Sequence, residues 1–249
     1  MAENELMQAY KSIPIVTRSL MTATVVFTFG TKFGLIPYSA LMLSWNRILY
    51  SFQIHRLFTA FTVTGLNFQF LMDMYFLFNY GCELEQTTFA ARTADFVWCI
   101  IFTSITSATI APYFGEVYLF QALLSTLILL WSLANAERIV SFMFGFRFKA
   151  KYLPWVLAAY TSIANGAALP TTMLIGIASG YIYHYLDAVY PASGGPRLIP
   201  TPSILYSFFP RQEVTGAQFS GGSGRTTATH RPAQAQEAGH RWGTGHRLG

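Results

Sequence analysis

The stretch Thr171-Thr-Met-Leu-Ile-Gly176-Ile-Ala-Ser-Gly180-Tyr-Ile-Tyr-His184 contains no Asp, Glu, Lys or Arg and places two glycines four positions apart. Small residues at this spacing share one face of a helix and let a second helix approach closely. Five apolar runs precede it, each near the ~20 residues that cross a bilayer core. The six predicted spans are 17–36, 57–80, 95–114, 116–134, 153–170 and 171–190. The predicted fold is therefore an all-α membrane protein with six transmembrane helices, in which Gly176 and Gly180 serve helix packing within the chain.

The composition of the 249-residue chain also indicates a lipid environment. It is 53% hydrophobic and 11% charged, with a mean hydropathy of +0.37. Soluble domains usually carry about 25% charged residues. Only Cys82 and Cys99 are present, without a Cys-x-x-Cys pair, so we predict no disulfide framework, metal site or cofactor. The surplus positive charge indicates contact with the lipid bilayer, and no nucleic acid is expected as a partner.

Lysine and arginine are distributed unevenly between the two predicted sides of the membrane. With the N-terminus in the cytosol, thirteen of the sixteen fall on the cytosolic side. The other side receives only Lys32, Arg47 and Arg56. Because cytosolic loops carry the excess of basic residues, both termini are predicted to face the cytosol.

Three parts follow from the pattern along the chain: a membrane domain at 1–190, a juxtamembrane amphipathic segment at 191–213 and a polar tail at 214–249. Apolar residues at helical spacing predict a short surface helix before the first span and another after the last. These residues are Leu6, Tyr10 and Ile13, and Ile204, Leu205, Phe208 and Phe209. The tail has nothing that could form a core, so it is predicted to be a disordered cytosolic segment.

Between the first two spans, residues 37–56 are apolar but too short to cross a membrane, and they end in His55-Arg56. Trp45 and Tyr50 suit a membrane interface. Two interpretations stay open. The segment is an ordinary interfacial loop, or it is wedged into one leaflet and perturbs the bilayer.

The second predicted span carries polar side chains. At about 100° per residue, Thr62, Gln69, Asp73 and Tyr80 fall on one helical face. A carboxylate inside a membrane normally faces a partner or water. Either Asp73 pairs inside the bundle, or the stripe lines a hydrophilic cavity that opens toward the membrane.

A catalytic role would need a nucleophile beside a base. Ser125 lies in the fourth span without a neighbouring glycine to open the backbone around an oxyanion, and His184 lies in the sixth. Spacing alone does not tell whether the two meet. Serine and histidine in helices usually pack or form hydrogen bonds, so no catalytic residue is predicted, and an intramembrane serine protease is kept as the minor alternative.

The C-terminal tail contains Trp242-Gly243-Thr244-Gly245-His246-Arg247-Leu248. An aromatic residue and a leucine separated by flexible glycines can each fill a pocket while the backbone adds to a sheet edge. This pattern predicts a docking motif rather than a plain linker.

Taken together, several blocks resemble the derlin family, the rhomboid-related pseudoproteases of the endoplasmic reticulum membrane. With the tail, the blocks span almost the entire chain. They are 10–18 (Tyr-Lys-Ser-Ile-Pro-Ile-Val-Thr-Arg), Leu84-Glu85, Phe89, Arg92, Ala94-Asp95, 144–150 (Phe-Gly-Phe-Arg-Phe-Lys-Ala) and 152–155 (Tyr-Leu-Pro-Trp).

This resemblance implies a rhomboid-like bundle and a non-enzymatic role in endoplasmic-reticulum-associated degradation. The chain would assist the retrotranslocation of misfolded lumenal and membrane client proteins to the cytosol. Implied partners are an AAA+ unfoldase, a membrane-embedded ubiquitin ligase complex, and further copies of this chain or its relatives as a homo- or hetero-oligomer. The family's tail motif, the SHP box, would recruit the unfoldase through Trp242, Gly243, Gly245 and Leu248. A membrane scaffold or trafficking adaptor is the main alternative.

Two departures from related sequences bear on the role. Active rhomboids use a Gly-x-Ser-Gly serine and a histidine just before the close-packing glycines; this chain has no such motif and has Thr172-Met173 where the histidine would stand. In the first loop, the family's usual Trp-Arg is His55-Arg56 here. The predicted client path and membrane-perturbing group comprises His55, Arg56, Thr62, Gln69, Asp73 and Tyr80.

Overall fold

The computed structural model describes residues 2–53, 55–142, 145–196 and 198–209. Its helices, in chain order, are α1 (Ala2–Ser12), α2 (Ile15–Lys32), α3 (Tyr38–Leu41), α4 (Trp45–Ser51), α5 (His55–Thr59), α6 (Phe68–Glu83), α7 (Thr93–Ile110), α8 (Phe120–Ala134), α9 (Leu153–Ala164), α10 (Thr171–His184), α11 (Tyr190–Ala192) and α12 (Ser203–Phe208). Two strands, β1 (Ile139–Phe142) and β2 (Phe146–Lys149), lie between α8 and α9. The predicted mostly helical fold is confirmed.

Helix α8 lies at the centre of the described bundle. Every residue from Ala122 to Ser132 is buried. Its sequence is rich in leucine and alanine, both strong helix formers, and it is apolar on all sides, which is typical of a helix that neighbours surround. Helices α6, α7, α9 and α10 pack against it. The core is therefore organised around a single short helix.

The predicted spans coincide with single helices in five cases, which are α2, α7, α8, α9 and α10. The continuous second span at 57–80 is wrong, because residues 60–67 separate α5 from α6. Helix α6 begins where it does because the Asn67 side chain accepts a hydrogen bond from the Phe70 amide at 3.1 Å and so caps its N-terminus. Hydrophobicity alone did not reveal this break.

Among the described helices, one segment, Thr93–Phe114, is long and apolar enough to cross a membrane by length and composition. It consists of α7 and a 3-10 turn that extends it. Helix α8 is apolar but has only 15 residues. The six-span count therefore stays a prediction, as does the division at 190 and 213.

One element contradicts the all-α prediction. Strands β1 and β2 pair antiparallel, with Ile139 opposite Lys149 and Phe142 opposite Phe146. Aromatic and β-branched residues favour strands, and Gly145 supplies a left-handed backbone (φ +81°) before β2. At the base of the hairpin, Lys149 Nζ donates to Glu137 Oε2 at 2.6 Å. This bond holds the pKa of the Glu137 carboxyl below its usual value and raises the pKa of the Lys149 ammonium.

Both predicted surface helices are helical, as α1 and α12. Before α2, the Tyr10 hydroxyl lies 2.6 Å from Thr22 Oγ1. After α11, Thr201 Oγ1 and Tyr206 Oη each donate to Asp95 Oδ1 at 2.7 Å. The juxtamembrane segment is thereby fixed to the first turn of α7.

Candidate functional site

Asp73 lies between α6 and α8 with an exposed fraction of 0%. Its Oδ1 accepts a hydrogen bond from Gln69 Nε2 at 2.8 Å, and its Oδ2 accepts one from Gln121 Nε2 at 2.7 Å. Both partners are neutral amides, so the carboxylate is hydrogen-bonded without a cation. Gln121 also lines a cavity of about 150 Å³ together with Val63 and Tyr118. Asp73 is thus hydrogen-bonded inside the bundle, and a role for it in a client path stays a prediction.

Two further members of the predicted stripe, Thr62 and Tyr80, make contacts of their own. Thr62 is buried after α5, and its Oγ1 donates to the Thr59 carbonyl at 3.0 Å. Tyr80 packs on the Trp131 ring with centroids 4.5 Å apart. A single polar stripe from Thr62 to Tyr80 is wrong, because the break at 60–67 removes Thr62 from the helix that carries the others. Gln69, Asp73 and Tyr80 remain together on α6, where Asp73 contacts Gln121 of α8 and Tyr80 contacts Trp131 of α8.

Arg56 is buried, with an exposed fraction of 3%. Its Nη1 donates to the carbonyl oxygens of Ser39 at 2.8 Å and Met42 at 3.1 Å, and its Nε donates to Gln53 Oε1. A guanidinium with several acceptors in fixed positions holds the backbone around it. His55, its neighbour, is exposed. Arg56 therefore organises the first loop from inside, while His55 is available at its surface.

Further hydrogen bonds join the first loop to the bundle. The Leu43 amide donates to the Val117 carbonyl at 2.9 Å, and Trp45 Nε1 donates to the Ala108 carbonyl at 3.0 Å. These acceptors lie next to the facing ends of α7 and α8. The segment predicted as an interfacial loop is thus bonded to the bundle, while Tyr50 and Phe52 remain 85% and 82% exposed.

Helices α10 and α8 meet closely at Gly176. A Cβ atom on Gly176 would overlap the Ala122 carbonyl oxygen and Ser125 Oγ. At Gly180 a Cβ would lie 2.8 Å from Leu129 Cδ2. This contact lies within the chain and brings the two helix backbones together, as small residues in membrane helices do.

Small hydroxyl side chains add hydrogen bonds to the same helix contact. Thr126 Oγ1 donates to the Gly176 carbonyl at 2.7 Å, and Ser107 Oγ lies 2.8 Å from Ser179 Oγ. Each of these residues except the glycine is a buried polar group that would be costly without a partner. The bonds therefore fix the position of α10 against α7 and α8.

Ser125 does not meet His184. Its Oγ lies 3.0 Å from the carbonyl oxygens of both Ala122 and Met173 and donates toward them. Gly176 is a residue of α10 that lies beside Ser125. His184 is eight positions further along the same helix, which is roughly 12 Å along its axis. The arrangement lacks the contact between nucleophile and base that a Ser–His dyad requires.

Glu85 is a structural site residue that the sequence pattern did not indicate. It lies in the π-helical turn Leu84–Thr88 that follows α6. One carboxylate oxygen accepts from the Val16 amide at 3.0 Å, and the other accepts from the Thr17 amide at 2.9 Å and the Thr17 hydroxyl at 2.8 Å. Glu85 therefore caps the N-terminus of α2 from 68 positions away in the chain, a contact that no local pattern reports.

The predicted tail motif, Trp242, Gly243, Gly245 and Leu248, lies outside the described residues. Within the ranges that the structure does describe, no group of three or more His, Cys, Asp or Glu side chains could hold a metal ion.

The chain is similar to known proteins over most of its length. The sequence profile of the Der1-like family matches residues 13–203. Derlin-1 of Homo sapiens is 36% identical over 248 residues, which cover 96% of this chain and 96% of that protein. Derlin-1 of Caenorhabditis elegans is 34% identical over 243 residues, covering 95% and 96%. Derlin-2.1 of Zea mays is 34% identical over 221 residues, covering 84% and 88%.

Proposed function

The chain belongs to the Der1-like, or derlin, family, and from this premise we propose that it is a non-catalytic component of endoplasmic-reticulum-associated degradation. It resides in the endoplasmic reticulum membrane with both termini in the cytosol and assists the passage of misfolded lumenal and membrane proteins to the cytosol. The observation that carries the proposal is the similarity to Derlin-1 over 96% of the chain.

The absence of catalysis has support from the geometry of Ser125. Its hydroxyl is engaged with the carbonyl oxygens of Ala122 and Met173. Nucleophilic activation requires instead a base that takes the hydroxyl proton. A protease function is therefore disfavoured relative to the role of a client-handling membrane protein.

A short helix supports a local effect on the bilayer. Helix α9, whose Trp155 and Ile163 side chains are exposed, has 12 residues, or roughly 18 Å at 1.5 Å per residue. A hydrocarbon core is about 30 Å thick, and a protein with shorter apolar elements thins the lipid around it. The exposed Tyr50 and Phe52 rings of the first loop suit the interface of such a thinned region. A thinner core lowers the cost of moving polar client segments through it.

The work of extraction comes from a partner. The tail motif recruits a hexameric AAA+ unfoldase, whose ATP hydrolysis pulls the client, and a membrane-embedded ubiquitin ligase complex marks the client for it. The motif combines an aromatic anchor and a leucine with flexible glycines between them, which suits a peptide that adds to a sheet edge.

Replacing Trp242 and Leu248 with alanine is expected to weaken unfoldase binding by about thirtyfold or more. Truncating an aromatic anchor at the centre of an interface commonly costs ~2 kcal/mol or more. The measurement is a pull-down of the purified AAA+ unfoldase by the detergent-solubilised full chain. A titration with the unfoldase then compares the dissociation constants of the unchanged chain and the double variant.

A matched control changes Thr244 and His246, which lie in the same motif region outside the four key positions. These two alanine substitutions should leave binding near that of the unchanged chain. Equal binding by the double variant at Trp242 and Leu248 would remove the tail from the mechanism. Normal client export after deletion of 241–249 would favour the scaffold or trafficking adaptor.

Replacing Asp73 with asparagine is expected to slow client export, with the half-life of a misfolded lumenal client at least doubled. The substitution keeps the size of the side chain and removes the charge that Gln69 and Gln121 hold in place. A cycloheximide chase in cells that lack the endogenous protein measures the half-life, and thermal unfolding of the purified variant reports whether it is folded.

Asp187→Asn is the matched control, because Asp187 is an exposed aspartate in the π-helical turn Tyr185–Val189. Its client half-life should equal that of the unchanged chain. A folded Asp73→Asn variant with normal client turnover would show that the buried carboxylate is a packing feature outside the client path.

A further inference from the structure

An apolar groove of about 550 Å³ opens beside the first half of α2. Its walls come from α2, α5 and α7, and side chains that line it include Ile15, Leu20, Leu57, Phe61, Ile101 and Phe209. Among the described residues that line it, the polar side chains are those of Thr62, Ser19 and Ser104, each with a hydroxyl. This volume falls in the range of pockets that enclose small-molecule ligands, and its chemistry suits a hydrocarbon chain.

A second, shallower groove of about 450 Å³ adjoins the first. The two share Ile15 and Ser19, so they meet at the N-terminal end of α2. The second groove adds polar side chains, namely Tyr10, Arg18 and Thr22. Together the two form one surface that is apolar at one end and polar at the other.

Arg18 gives this polar end a positive charge. Its guanidinium lies over the Tyr10 ring, with Cζ 5.4 Å from the centroid. The ion pairs found among the described residues join Arg92 to Asp95, Arg138 to Glu83 and Lys149 to Glu137, and none uses Arg18. The polar end is therefore complementary to an anion.

The size of the apolar groove favours an acyl chain over a helix. One turn of helix with its side chains is 10–12 Å across and 5.4 Å high, and so displaces roughly 400–600 Å³. The groove would accept only about one such turn. A flexible hydrocarbon chain fills the same volume along its length, and its polar headgroup would reach the Arg18 end.

We propose that the two grooves together bind one anionic glycerophospholipid, with an acyl chain between α2, α5 and α7 and the phosphate beside Arg18. Phosphate is a preferred partner of the planar guanidinium, which can donate two parallel hydrogen bonds to it. This site depends on the membrane residence of the derlin family and not on the export role. The bound lipid fills a gap between α2 and α7 that protein side chains leave open.

The test uses native mass spectrometry of the full-length protein after equilibration with equal amounts of phosphatidylserine and phosphatidylcholine. The unchanged chain should retain one phosphatidylserine in preference to phosphatidylcholine. Ser104→Phe, which places a ring in the groove, should lose that lipid. Thr109→Phe is the matched control, since Thr109 is exposed on the same helix and outside the groove lining.

Arg18→Gln should reduce the preference for phosphatidylserine by about fivefold, the factor that corresponds to ~1 kcal/mol per basic residue near an anionic surface. Lys32→Gln, at the other end of α2, should leave the preference unchanged. Equal retention of both lipids by the unchanged chain would overturn the proposal, as would a folded Ser104→Phe variant that keeps its phosphatidylserine. If Ser104→Phe does not fold, an unchanged preference in Arg18→Gln overturns it alone.

Discussion

Replacing Gly176 with alanine is expected to destabilise the protein severely, by about 3 kcal/mol or more. The added methyl group would overlap the backbone carbonyl oxygen of Ala122, which cannot move aside by changing a rotamer. Overpacking a dense core usually costs 1–3 kcal/mol, and a clash with a backbone atom belongs at or above the upper end. To accommodate the methyl group, α10 must move away from α8. That movement also lengthens the hydrogen bond from Thr126 Oγ1 to the Gly176 carbonyl.

Two further glycine substitutions make this expectation specific. In Gly180→Ala the new methyl group would meet Leu129 Cδ2, the far end of a flexible side chain, so a smaller loss is expected. In Gly65→Ala the nearest atom is Asn67 Nδ2 at 3.8 Å, an ordinary contact, so almost no loss is expected. Thermal unfolding in detergent should rank the three variants in this order. A Gly176→Ala variant as stable as Gly65→Ala would mean that α8 and α10 are not in close contact.

Replacing Glu85 with alanine is expected to cost about 2–4 kcal/mol. The change leaves the amides of Val16 and Thr17 and the Thr17 hydroxyl without their acceptor, and a buried donor that loses its partner costs ~1–3 kcal/mol. These losses overlap, so they do not simply add. The carboxylate also lies at the positive end of the α2 dipole, where a negative charge is favourable. The measurement is the unfolding temperature of the purified variant.

Glu85→Gln separates the parts of this effect. Glutamine keeps one acceptor oxygen and replaces the other with a donor. The stability of Glu85→Gln should therefore lie between that of the unchanged protein and that of Glu85→Ala. Glu137→Ala is the matched control for removing an acid, because Glu137 is exposed in the hairpin region and pairs only with Lys149 among the described groups. No measurable shift is expected there. If Glu85→Ala and Glu137→Ala unfold at the same temperature, the cap does not stabilise α2.

The sequence predicted the helical character of the fold because long apolar runs are a strong one-dimensional signal. Five of the predicted spans coincide with helices for this reason. The break at 60–67 was missed because those residues are as apolar as their neighbours, and the Asn67 cap that starts α6 is a single side chain. The hairpin at β1 and β2 was missed because its strands have only four residues each and lie in a basic connecting segment between two apolar runs.

The candidate site was predicted less well than the fold. Gln69 and Asp73 were identified together because they are four positions apart on one helix. Gln121 and Glu85 were not identified. The partner of Gln121 lies 48 positions away in the chain, and the partners of Glu85 lie 68 and 69 positions away, so these contacts exist only once the helices are packed. Arg56 was singled out as part of the His55-Arg56 pair of the first loop, and its role in perturbing the membrane stays a prediction. Its burial against the Ser39 and Met42 carbonyls depends on the path of the loop, which composition does not encode.

The hydrogen bonds of the first loop determine how it can act over time. The Trp45 indole and the Leu43 amide donate to carbonyl oxygens of the bundle, and the Arg56 guanidinium holds the Ser39 and Met42 carbonyls within the loop. Swinging the loop outward as a hinged flap would break both bonds to the bundle, each at a cost of ~1–3 kcal/mol where water is scarce, while the Arg56 bonds keep the loop itself rigid. Any distortion that the loop imposes on neighbouring lipid is therefore a standing one, created when the chain folds and present before a client arrives. Under the proposed export role, the membrane around an idle molecule would therefore already be distorted, and a working cycle would change only which client passes.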